Sequence, residues 1–297
     1  MSAIGRFGWI LKSCSGRSVK FCSLPKALAE AFVNPSVRGD GPAVGKRRIL
    51  GIDFFSGSLS DAVFEANRGG LCVAPSGPGL ADDLIKCSFY SRAVTEAELV
   101  LPDSGLMCLW ANFFTRKPIK RISGLAFLRA YLFDQDVSLH DAFWVMPDQE
   151  QSEANRKWIK KELGQFIEED ACYVAPTYAK TGAIEDLELL AQLREIRPKT
   201  IFIQLGGGVQ ERLGFYLREN LSFSSVILCT GAALAFLSGT QARIPNWVDR
   251  FYMGWMVRCL VNPKVFVPRY LKAFTLIGLL AKNGSALPEV VDSFSQN

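Results

Sequence analysis

The sequence predicts an α/β fold: a mostly parallel sheet with helices on both faces. Two observations carry this. Seven short, continuously apolar runs alternate with longer helix-patterned segments, which is how strands buried on both faces read. Several runs also end in Pro, Asp or Gly, marking the carboxyl ends where open α/β sheets bind ligands. The composition agrees: of 297 residues, 49% are apolar and 21% charged, which excludes disordered, collagen-like and coiled-coil chains. The length suits one large or two modest domains.

The runs are ILGID (49–53), LCVAP (71–75), LVLPD (99–103), AFWVMP (142–147), CYVAP (172–176), TIFIQLG (200–206) and SVILCTG (225–231). Helical segments are expected at 60–68, 77–91, 105–114, 149–169, 184–194 and 210–220, with another after KRISG (120–124). Residues 1–47 are rich in turn formers and read as a basic extension and linker, with ordered structure starting at Arg48. Residues 48–245 form the core. Residues 246–297 read as a basic, aromatic helical appendage divided at Asn262–Pro263. Removing that appendage is expected to leave the core folded.

Charge is unevenly placed. Residues 1–48 carry nine basic and two acidic side chains, residues 240–297 seven and three, and the whole chain nets +5. The middle is therefore acidic, which argues against a nucleic-acid partner. Basic ends suit phosphate, anionic lipid or simply solvent. Arg250, Arg258, Lys264 and Arg269 are interleaved with Trp247, Trp255, Phe266 and Tyr270. That mixture suits an interfacial helix on an anionic membrane surface or a hairpin packed on the core. The longest late apolar stretch, AFTLIGLLA, is too short to span a bilayer, and no secretory signal stands out. The eight cysteines form no CxxC pair and read as reduced, mostly buried thiols. With one histidine, His140, read as a loop or packing residue, a three-histidine or HExxH metal site is impossible.

Three segments could carry chemistry. In LVLPDSG, Asp103 ends a strand and could accept a proton from a substrate hydroxyl. Spacing alone favours its capping the helix that begins near Gly105. In QLGGGVQERLG, Gly207 and Gly208 could bring backbone N–H groups to a phosphate at a helix N-terminus, although the pattern is neither GxGxxG nor a P-loop. Gln210 and Glu211 could bond a ligand or one another. In KRISG, Arg121 could hold a diphosphate or pair with a surface acid. CTGAALAFLSG (229–239) reads as a small-residue turn packed closely on a ligand or helix.

Taken in order, ILGID, LVLPDSG, RISG, GGGVQERLG, TGAALAFLSG, IPNW, GWMVRCLVNP and PRY resemble the WecG/TagA/CpsF family of bacterial glycosyltransferases, over about Arg48–Phe274. The resemblance implies a Rossmann-like core and an inverting, metal-independent hexosyltransferase with no cofactor. Its substrates would be a UDP-sugar, of the N-acetylmannosamine kind, and an undecaprenyl-diphosphate-linked sugar in cell-surface polysaccharide synthesis. It implies Asp103 as general base and Arg121, Gly207, Gly208, Gln210 and Glu211 at the donor and its phosphates. Ser76 and Tyr178 fall beside them, and Arg250, Arg258, Lys264 and Arg269 fall in a membrane-facing appendage. It implies a bacterial cytoplasmic protein, peripheral on the inner face of the membrane, and leaves a homo-oligomer open. The chain departs from the family pattern at Ala74-Pro75-Ser76, Pro147-Asp148, Val209, Ala235 and Gly254. Those departures leave the donor sugar open, and with it a second reading: an inactive nucleotide-sugar-binding homologue serving a polysaccharide assembly complex.

Overall fold

The computed structural model describes residues 45–115, 118–240, 263–264, 267–268, 271 and 274–291. Residues 1–44, and with them most of the N-terminal extension, lie outside that set, as do Arg250, Arg258 and Arg269.

Strands β1 (Gly45–Ile49) and β2 (Ile52–Ser56) form an antiparallel hairpin with Ile49 opposite Ile52. Strand β1 thus starts three residues before Arg48, and ILGID holds a turn rather than a single strand. Leu50 and Gly51 both take positive φ, 52° and 76°, as a tight two-residue hairpin requires. Leucine gives no sequence signal for such a turn. A tertiary contact stabilises it: Leu50 and Gly51 donate to the carbonyls of Gly284 and Ser285, at 2.9 and 3.0 Å.

The chain continues through α1 (Leu59–Ala66), β3 (Gly70–Val73), α2 (a π turn at Gly79–Asp83 running into Leu84–Lys86), α3 (Ser88–Thr95), β4 (Leu99–Val100) and α4 (Gly105–Phe114). Then follow α5 (Gly124–Leu132), β5 (Ala142–Met146), α6 (Gln149–Leu163), β6 (Cys172–Val174), α7 (Leu187–Ile196), β7 (Thr200–Ile203), α8 (Val209–Asn220), β8 (Val226–Cys229), α9 (Ala233–Ser238) and α10 (Thr275–Asn283). All seven apolar runs supply strand residues. The expected helix at 77–91 is broken at Cys87, whose φ of −142° and ψ of 107° leave the helical region. The expected helix at 149–169 stops at Leu163, because Gly164 turns left-handed at φ 66°.

The eight strands run in the order β1-β2-β4-β3-β8-β7-β5-β6, and every pair after the hairpin is parallel. Alternate strand residues enter two hydrophobic clusters, one on each face. Leu71, Val73, Ile201 and Ile203 meet α2, α3, α4, α7, α8 and α10, while Cys72, Trp144, Phe202 and Leu228 meet α1, α5, α6 and α9. Trp144 stacks on Phe202 with ring centroids 4.0 Å apart. Burial on both faces is what the unbroken apolar runs require.

The stretch AFTLIGLLA falls on α10, whose Leu276 and Leu280 are buried in the core. Removing residues 246–297 would strip the core of both leucines and the β1–β2 turn of its partners, so the core would not survive the cut intact. Among the described residues no helix is long and apolar enough to cross a membrane. Cys72, Cys87, Cys108 and Cys229 are buried free thiols and Cys172 a half-buried one. His140 is exposed in the loop before β5, 3.4 Å from Asp141.

Candidate active site

The chain passes from β3 outward to β4, crosses to β5 on the far side, and returns through β7 to β8, which pairs with β3. β3 and β8 are the central pair of the sheet, and ligands of open α/β sheets bind in the crevice at the carboxyl ends of the strands. Four loops meet there, following β3, β4, β7 and β8.

After β4 comes Asp103. It does not cap α4. That role belongs to Ser104, whose Oγ accepts from Met107 N–H at 3.3 Å. Asp103 turns instead to the next helix. Its Oδ1 accepts from Gly124 N–H at 3.2 Å and from Arg121 Nη2 at 3.3 Å, while Arg121 Nε donates to the Asp103 carbonyl at 2.7 Å. Gly124 is the first residue of α5, so a helix N-terminus and a guanidinium hold the carboxylate together. Glycine is required there: a Cβ would stand 3.0 Å from the Thr230 carbonyl and 3.3 Å from Ala74 Cβ. The Asp103 and Arg121 side chains stay 23% and 16% exposed, so both can be reached from the crevice.

After β7 comes the glycine turn. Gly208 takes φ 88°, and its N–H is engaged by Glu211 Oε2 at 2.7 Å. Gln210 and Glu211 are buried and bond one another: Gln210 Nε2 donates to Glu211 Oε1 at 3.1 Å, and Gln210 Oε1 accepts from Gly231 N–H at 2.6 Å. Of the two roles the sequence allows, the pair fills the internal one, tying the glycine turn to the loop after β8. Burial pushes the Glu211 carboxyl up to about 7, against the pull of its hydrogen bonds.

Two tying residues escaped the sequence reading. Buried Gln204, at the end of β7, donates to Thr230 Oγ1 at 3.3 Å and accepts from Leu234 N–H at 3.2 Å, supplying α9 with the cap its own sequence lacks. Arg212 is buried and spends its guanidinium on three carbonyls: Gly208 at 2.8 Å, Gly182 at 2.8 Å and Ala179 at 2.7 Å. Arg212 thus fastens the loop after β6 to the glycine turn. Gln204 gave one signal, a polar residue closing an apolar run, whereas Arg212, inside α8, gave none.

The other candidates are more scattered. Ser76 lies after β3, where its carbonyl accepts from Leu80 N–H at 3.0 Å as α2 begins. Tyr178 follows β6, the edge strand of the sheet. Its hydroxyl donates to Asp186 Oδ2 at 2.5 Å, and Tyr173 shares that carboxylate at 3.0 Å. Both tyrosines border an open cleft of about 620 Å³. Burial and Asp186 raise the Tyr178 hydroxyl well above its ordinary value. Lys264 is exposed. Among the described residues no three His, Cys, Asp or Glu side chains cluster closely enough to hold a metal ion.

The chain is 22% identical over 228 residues to an N-acetylglucosaminyldiphosphoundecaprenol N-acetyl-β-D-mannosaminyltransferase of Bacillus spizizenii, covering 74% of this chain and 84% of the relative. The pattern of the glycosyl transferase WecG/TagA/CpsF family matches residues 47–287, taking in every strand except the first two residues of β1 and every loop described above. With a mostly parallel α/β sheet, a carboxylate at the carboxyl end of β4 and a match over most of its length, the chain belongs to the WecG/TagA/CpsF family of glycosyltransferases.

Proposed function

We propose that the protein transfers an N-acetylmannosamine-like sugar from a UDP donor to a sugar on an undecaprenyl diphosphate, inverting the anomeric centre without a metal. The observation that carries this is the Asp103–Arg121–Gly124 arrangement at the crevice. Inversion needs one base on the acceptor side. Asp103 is reachable there, and its ionised form is held by two donors on Oδ1. It takes the proton from the acceptor hydroxyl as that oxygen attacks the anomeric carbon and the bond to UDP breaks.

The leaving diphosphate needs its charge neutralised. Arg121, held at the crevice beside Asp103, supplies a fixed positive charge there. The loop after β6 is bound to the glycine turn through Arg212. The relative's name supports the choice of sugar and lipid-linked acceptor. That acceptor calls for a protein seated on the cytoplasmic face of the membrane, with the basic residues of 246–297 against anionic lipid.

The test is UDP release from a panel of UDP-sugars, with and without a short-chain lipid-diphosphate-linked N-acetylglucosamine. Acceptor-dependent release names the donor. Tight UDP binding with no release from any donor would favour the inactive, complex-forming homologue instead.

A further inference from the structure

Helix α4 begins two residues after Asp103 and turns an unusual face outward. Met107, Cys108 and Ala111 are buried, yet Phe113 is 83% and Phe114 65% exposed, with Leu109 also in solvent. The two phenylalanine rings meet edge to face at 4.9 Å, and Trp110 lies 5.6 Å from Phe114. Helix α10 packs against α4 and adds Phe274, 61% exposed, and Ile277, with Leu271 exposed just before it. Single exposed apolar side chains are ordinary; a group on two touching helices marks an interaction surface.

Charge identifies the partner. Residues 104–133 contain five basic side chains and no acid, and residues 250–288 contain six and no acid. Lys120 is exposed beyond the end of α4. Both helices thus belong to acid-free stretches of a chain whose middle third is otherwise acidic. An apolar group set in purely basic sequence matches an anionic lipid surface, where aromatic rings enter the headgroup boundary and cations meet phosphates. The end of α4 is also braced. Arg47 donates to Thr115 Oγ1, and Asn112 exchanges two hydrogen bonds with Ile119, at 3.0 and 2.6 Å.

We propose that α4 is a membrane-docking helix, inserting Phe113 and Phe114 into an anionic phospholipid bilayer beside α10. This rests on the lipid-linked acceptor proposed above and extends the membrane contact from the C-terminal segment to the core itself. Ten residues of helix span about 15 Å. Asp103 therefore stands about one helix length from the inserted end, a distance suited to a sugar carried on a diphosphate at the headgroup level.

The experiment is sedimentation of the full chain with phosphatidylcholine vesicles, with and without phosphatidylglycerol. Wild type should pellet with the anionic vesicles and much less with the neutral ones. F113S/F114S should bind the anionic vesicles at least about tenfold more weakly, with an unchanged melting temperature. F64S, which removes an equally exposed phenylalanine from α1, should bind as wild type does. Equal binding by F113S/F114S and wild type overturns the proposal, as does wild type that ignores anionic vesicles. A dimer in light scattering that F113S/F114S turns into monomer, with vesicle binding intact, would assign the face to a second copy of this chain and overturn it too. UDP release by wild type with the short-chain acceptor is read alongside. Its absence counts against the transferase activity and leaves the vesicle result to decide the docking.

Discussion

Glu211 offers a quantitative test of how the glycine turn is held. Its carboxylate lies buried in a chain of bonds from Gly231 N–H through Gln210 to Glu211 and on to Gly208 N–H. All these partners donate, so the ionised form fits them, but burial opposes the charge and raises the carboxyl from 4.5 to about 7. Below about pH 4.5 the group is protonated whether the chain is folded or not, and it costs nothing. As pH rises towards 7 the unfolded chain releases the proton while the folded chain holds it, so stability falls. Above 7 the loss is complete. At about 1.4 kcal/mol per tenfold change in proton affinity, the whole span is worth about 3 kcal/mol, of which about 2.5 falls between pH 5 and 8. Glu211→Gln removes the titration. It also sets an amide donor against either Gln210 Nε2 or Gly208 N–H, so the variant loses a hydrogen bond at every pH. Urea unfolding of both proteins at pH 5 and pH 8 isolates the difference. The stability of wild type relative to Glu211→Gln should fall by about 2 to 3 kcal/mol between the two conditions. Parallel pH profiles would refute the reasoning and mean that Glu211 is hydrated or paired in solution.

Two further substitutions probe the packing and the site. Gly214→Ala should gain about 1 kcal/mol from helix propensity. A Cβ there, however, meets Cys229 Sγ at 2.7 Å and Leu71 Cδ1 at 2.8 Å, so a net loss of about 1–3 kcal/mol is expected in denaturant unfolding, and a stabilised variant would contradict the close seating of α8 on β3 and β8. Arg121→Lys keeps the charge but loses the fork that grips both the carbonyl and the carboxylate of Asp103. It should lower kcat/KM about 10- to 100-fold in the UDP-release assay, and an unaltered value would remove Arg121 from the site.

Much of this architecture was legible because parallel strands buried on both faces leave a mark in sequence. Within TIFIQLG and SVILCTG, Ile201–Ile203 and Val226–Cys229 are apolar at every position, since consecutive residues enter opposite cores. The helix after LVLPDSG could be bounded to the residue, because its start and stop are local. Tertiary decisions were not legible. The turn at Leu50–Gly51 depends on carbonyls more than two hundred positions away, and nothing in ILGID announces it. The role of Asp103 was obscured by its neighbour: Ser104 takes the cap, which frees the carboxylate to face α5. Gln210 and Glu211 were visible as a motif, but whether they face a ligand or each other depends on where Gly231 lies. α10 was equally hidden, since a nine-residue apolar stretch reads alike on a membrane and in a core. In α10 Leu276 and Leu280 go inward, while Phe274 and Ile277 stay outward.

The central claim is that Asp103 is the acceptor-side base of a glycosyl transfer, and Asp103→Asn tests it most directly. The amide keeps the volume and can still accept from Gly124 N–H and Arg121, so the folded protein and its UDP affinity should be preserved. Acceptor-dependent UDP release, measured at saturating donor, should fall by about 100-fold or more, and the loss should be in kcat rather than KM. Release by Asp103→Asn at the wild-type rate would contradict the claim and move the base elsewhere in the crevice.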